Sequence, residues 1–162
     1  MPASLTQEAF WQYSVRLYER EDVASHCLSL QDNYQVNVNL LLLVCWCMTH
    51  NAIVTLPAIQ KLSDAIIDID QQLLAHRGTR RACHPDNGGD KALYEELKAQ
   101  ELELEKRCQQ VLADAFNALA AQQFEGDAVN PSIVALIHFY GLKNKQDARA
   151  SLTYLMTQAK LA

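Results

Sequence analysis

The chain has 162 residues, 49% of them hydrophobic and 20% charged, with a formal net charge of -5. That length suits one domain with a full-sized core, spanning residues 1–162, and the acidic balance weighs against a nucleic-acid binder held by phosphate contacts. The opening Met-Pro-Ala-Ser-Leu-Thr-Gln-Glu lacks the basic start and apolar core of a signal peptide, so a cytoplasmic protein is expected.

The first helix is predicted from Ser4, where Ser4 and Gln7 have capping-box spacing. Phe10, Tyr13 and Leu17, with Trp11, Ser14 and Tyr18, recur at three- and four-residue steps and give it a broad, partly aromatic face. Asp22 is predicted to cap a short second helix that buries Val23, Cys27 and Leu30. Gln31 to Gln35, poor in apolar residues, reads as a loop. Asn37 then caps the helix around which the others are arranged, at about residues 38–50. From Leu40 to Met48 that helix carries no polar side chain. A helix apolar on every side must be surrounded, by protein or by lipid. The run is about half of the roughly 20 residues a membrane span needs, so protein is the expected surrounding and no membrane partner is expected.

Thr55 and Pro57 mark the next helix start, since proline is tolerated in a first turn. Ile59, Leu62, Ile66, Ile69 and Leu73 form one stripe within about 80°, and the same arithmetic carries Arg77 and Arg80 onto that core-facing line, past Gly78. His84-Pro85-Asp86-Asn87-Gly88-Gly89 is a clear loop. Asp90 caps a long helix to about Ala121, with Leu93, Leu97, Leu104, Cys108, Val111, Ala115 and Leu119 inward. Glu101 falls within that stripe and Glu105 at its edge, and an acid on a core-facing line must pair, hydrogen-bond or take up a proton. A second loop is predicted from Phe124 to Asn130, then a helix from Asn130-Pro131 to Phe139 that Gly141 ends. Asn144 caps a last helix facing in through Ala148, Leu152, Leu155 and Ala159. No stretch alternates like a strand. The expected fold is all-α, a single-domain bundle of about seven helices around the buried central one.

The five cysteines are an odd number, and with no secretory signal they read as reduced thiols. Cys45 and Cys47 cannot hold one ion together, because helical residues two apart point about 200° apart. Cys47 and His50 have a chelating spacing, but the cysteines read as small hydrophobes. No metal, cofactor or catalytic residue is assigned: no Gly-rich phosphate loop, nucleophile elbow or His-Glu-x-x-His motif is present.

Phe10-Trp11, Leu17-Tyr18, Val23, Cys27 to Asp32, Val38 to Leu42 and Trp46 form a pattern that continues in Arg77, Arg80 and Arg81 and then in Glu101, Leu102 and Glu105. In order and spacing this resembles a family of small uncharacterised helical proteins, mainly of gamma-proteobacteria. The resemblance implies a cytoplasmic helical protein and no activity. Locally, His84-Pro85-Asp86 with arginines before it resembles the loop of J-domains, which stimulate Hsp70 ATPases. That resemblance departs at Thr79 and Arg80, where the family is apolar, and at Glu101, where it usually has tyrosine. Pro-Asp-Asn-Gly-Gly is also plain turn chemistry.

A loop of about ten residues favours antiparallel neighbours, which brings Arg77 and Arg80 toward Glu101 and Glu105. Such a set is either a structural ion-pair cluster or an anion site in which the arginines bind a carboxylate or phosphate. Gln31, Asp32, Asn37 and Asn39 either cap and orient the central helix or line a polar pocket at its start. The candidate ligand-binding residues are these eight. The leading expectation is a non-enzymatic protein that binds a partner protein or a small anionic ligand. The alternatives are an enzyme acting on a small anionic substrate, with Glu101, Glu105 and Asp32 as its acid–base candidates, and a J-domain-like co-chaperone.

Overall fold

Thr6 rather than Ser4 begins the first helix: its hydroxyl accepts the Ala9 N–H at 3.1 Å. Leu5 is instead buried, and Asn117 clamps its backbone from both sides, accepting its N–H at 2.8 Å and donating to its carbonyl at 2.7 Å. The computed structural model describes residues 3–123 and 130–162. The helices run α1 Gln7–Tyr18, α2 Val23–Tyr34, α3 Val38–Thr49, α4 Leu56–Ala65, α5 Ile67–Ala82, α6 Lys91–Leu119, α7 Ser132–Phe139 and α8 Gln146–Leu161, with a single 3-10 turn at Pro85–Asn87. The protein is an all-α bundle.

α3 is the predicted central helix. Asn37 caps it, its Oδ1 accepting the Leu40 N–H at 2.9 Å. Every residue from Leu40 to Cys47 is buried, because α1, α2, α6, α7 and α8 all pack around it. Truncating one of its leucines to alanine in so closed a site costs about 2–5 kcal/mol. No helix among the described residues is long and apolar enough to cross a membrane.

Three boundaries differ from expectation. Gln31 to Tyr34 continue α2 as its last turn, and Gln35 ends it in the left-handed conformation at φ 58°. Val36 is fully buried just beyond, so the helix extends until that side chain can reach the core, although its last turn is polar. Asp22 lies at φ 61° and makes no capping hydrogen bond. The predicted fourth helix is two, because Ile66 breaks the helical ladder at φ -103°, ψ 5°. Ile66 is buried at that corner. The corner lets α4 cover α7 while α5 runs along α6, which one straight helix cannot do. Hence there are eight α-helices among the described residues rather than seven. Leu93, placed inward from sequence, is exposed near the start of α6. Lys145 rather than Asn144 precedes α8, without a side-chain cap. The predicted loop from Phe124 to Asn130 lies outside the described residues except for Asn130.

Candidate functional site

α5 and α6 form a hairpin held by charge. The Arg77 Nε donates to Glu101 at 3.3 Å and its Nη2 to Glu105 at 2.6 Å, while Arg80 Nε donates to the other oxygen of Glu101. His76 meets the Leu97 carbonyl in the same ladder. Arg77 reaches Glu105, while Arg80, farther along α5, reaches Glu101, earlier in α6, so the two helices are antiparallel. The helical phase that carried Arg77 and Arg80 onto the core-facing line holds, because Gly78 sits in open space and leaves α5 unbroken. Burial works against the Arg80 charge, yet the hydrogen bond and charge of Glu101, together with Tyr94, outweigh it and raise the pKa.

From Glu105 a chain of hydrogen bonds leads into the core. Asn39 Nδ2 donates to Glu105 Oε2 at 2.5 Å, Gln109 Nε2 donates to Asn39 Oδ1 at 3.1 Å, and the same Nε2 donates to Ser14 Oγ at 2.9 Å. The carboxylate sets the direction of every link. It only accepts, so Asn39 must turn its NH2 toward it and its oxygen toward Gln109. Gln109 must then offer its own NH2. Its Oε1 is left buried with no partner. An orphaned buried acceptor costs about 1–3 kcal/mol, and few survive in native proteins without a reason.

These polar groups form the floor of a cavity of about 400 Å³ between α1, α2, α3, α5 and α6. Trp11, Val15, Tyr18, Leu28, Leu42 and Leu102 supply its apolar walls. Val15, Leu28 and Leu102 are among the exposed large hydrophobics, and they meet at this mouth from three different helices.

Of the eight residues singled out from sequence, Gln31, Asn39, Arg77, Glu101 and Glu105 line this cavity together. Arg80 stands behind, pinning Glu101. Asp32 lies on the exposed side of α2, 3.7 Å from Arg81. Asn37 is spent on structure: besides its cap it donates from Nδ2 to Asp70 at 2.7 Å and from its backbone to the Tyr140 hydroxyl at 3.1 Å. Sequence reasoning missed Gln109. The signal was there, since Glu101, Glu105 and Gln109 follow at four-residue steps and share one face.

Burial pushes the Tyr18 phenol beside the cavity up to about 12, and likewise the thiols of Cys27 and Cys108. None of the three supplies an anionic nucleophile at neutral pH. Among the described residues no group of His, Cys, Asp and Glu is arranged to hold a metal ion. His84-Pro85-Asp86 forms the turn between α5 and α6. His84 Nδ1 accepts the Asp86 N–H at 3.0 Å, and its ring meets Tyr94 edge-on at 4.8 Å. A Cβ on Gly89 would stand 2.0 Å from the Cys83 carbonyl oxygen, so the turn requires glycine there.

Residues 9–112 match the family model described as protein of unknown function, DUF2390. The chain belongs to this family. Every residue that lines the cavity lies in the matched segment, as does the His-Pro-Asp turn, whereas α7 and α8 lie outside it. Neither the curated proteins nor the solved structures yielded a match.

Proposed function

We propose that this protein binds a small amphipathic molecule in the cavity at the start of α3, without transforming it. The observation that carries the reading is the pairing of apolar walls with a floor of Asn39, Arg77, Glu101, Glu105 and Gln109. A volume of about 400 Å³ falls in the range of about 300–1,000 Å³ usual for small-molecule sites. Binding is favoured over catalysis because the neighbouring phenol and thiols are held protonated, and because both glutamates are already engaged by arginine or asparagine. The cytoplasm is the compartment we propose, on the five free cysteines.

The test is calorimetric titration with n-octanol, a neutral amphiphile. Saturable binding of one molecule per chain is expected, weakened several-fold by Leu102→Ser at the mouth. Uptake that does not saturate, or binding that Leu102→Ser leaves unchanged, would refute the site. A second reading is a partner protein that seats one apolar side chain in the same mouth. The exposure of Val15, Leu28 and Leu102 favours it, and it predicts that n-octanol competes with that partner.

A further inference from the structure

We infer that the occupant of this cavity is an amphipathic ammonium, an alkyl or arylalkyl amine that is charged at neutral pH. The inference rests on the ligand-binding reading above and adds the charge of the head group. Among the side chains that line the cavity, the carboxylates of Glu19, Glu101 and Glu105 face a single guanidinium, that of Arg77. Arg77 is committed twice, to Glu101 and to Glu105. Arg80 does not line the space but offsets Glu101 from behind, so the three carboxylates exceed the two guanidiniums by one charge. An entering anion has to draw Arg77 away from both carboxylates while it faces an excess of negative charge at short range.

A cation meets the opposite balance. Glu101 and Glu105 each accept two hydrogen bonds from the protein, and a carboxylate has about four lone-pair sites, so each retains capacity for an ammonium N–H. Gln109, on the same floor, keeps its Oε1 buried without a protein donor. Glu19 stands exposed at the mouth and makes no ion pair among the described residues. The walls add the faces of Trp11 and Tyr18, and aromatic faces attract cations. That of Trp11 already holds Lys106 Nζ at 5.2 Å from the outside. Arg77 keeps unused N–H groups, and an anion that reaches them is the competing outcome.

The experiment compares three probes with one tail by calorimetry at pH 7: n-octylammonium chloride, n-octanol and sodium octanoate. Octylammonium is expected to bind about tenfold more tightly than octanoate, the scale of one partly shielded charge contact, with octanol between them. Added salt should narrow the gap. Octanoate binding as tightly as octylammonium would overturn the charge assignment, and saturable octanol binding alongside it would leave the ligand-binding reading standing. Binding by none of the three, up to the solubility of each, would overturn both. Val15→Trp fills the mouth from an exposed position and is expected to abolish octylammonium binding in a protein of unchanged helix content. Unaltered binding in that variant would place the amine on the acidic surface and overturn the inference.

Discussion

The two ends of α3 each carry a buried polar cluster, and the clusters are built to opposite plans. At the C-terminal end Asn130 donates from Nδ2 to the carbonyls of Cys47 and Ala52, at 3.2 and 2.8 Å, and accepts the Ser132 N–H at 3.0 Å. Ser132 Oγ accepts the Val54 N–H and donates to Ala52. Each of these polar side chains is partnered within the protein, and the knot is closed. At the N-terminal end Glu105, Asn39 and Gln109 line a cavity that opens to solvent, and the buried Gln109 Oε1 has no protein partner. Among the described residues the other buried side-chain atom without a partner, the Tyr13 hydroxyl, does not line this cavity. The first cluster is satisfied from within and supports the fold, whereas the second lines the cavity in which we propose that a ligand binds.

The contrast breaks most readily at Asn130. Asn130→Ala removes one donor from each of the Cys47 and Ala52 carbonyls, which keep the Ala52 N–H and Ser132 Oγ, and leaves the Ser132 N–H without its acceptor; at about 1–3 kcal/mol for a buried group left unpaired the expected loss is about 2–3 kcal/mol by urea denaturation, with n-octanol affinity unchanged. A loss under about 1 kcal/mol would mean that water takes over the lost hydrogen bonds. Glu101→Gln should cost less. It removes one of two carboxylates from two arginines, but the pairs are partly open to solvent, which screens them, so a loss of about 1–2 kcal/mol is expected. A neutral result would show that the arginines find other partners in the cavity. Gln109→Leu should cost least, within about 1 kcal/mol, because it removes the orphaned acceptor and the cavity can offer water to Asn39. The same variant should bind octylammonium several-fold more weakly. If Gln109→Leu instead destabilises the protein as much as Asn130→Ala, the two ends are alike and both are structural.

The helical phase of α5 and α6 was legible because both are regular across the hairpin: stepping 100° per residue from Ile59 reached Arg77 and Arg80, and the break at Ile66 did not spoil it. The cap at Asn37 was legible because that residue type at that place has one strong local use. The corner at Ile66 was not, since apolar spacing alone runs smoothly through it and only the positions of α7 and α6 demand the turn. The last turn of α2 was misread because its residues are polar and its reason, Val36, lies beyond it. The floor of the cavity was half legible: charges on an inward stripe stand out, while a glutamine on the same stripe does not. The walls were illegible, because a mouth assembled from Val15, Leu28 and Leu102 belongs to no single helix and has no period.

The embrace of α3 by α7 and α8 also separates inheritance from foldability. The matched segment ends at residue 112, inside α6, yet two of the helices that shield its most apolar element come from beyond that point. A chain stopped there would keep the whole cavity lining in its primary structure while presenting a bare leucine surface to water. The portion that identifies the family is therefore smaller than the portion that buries α3.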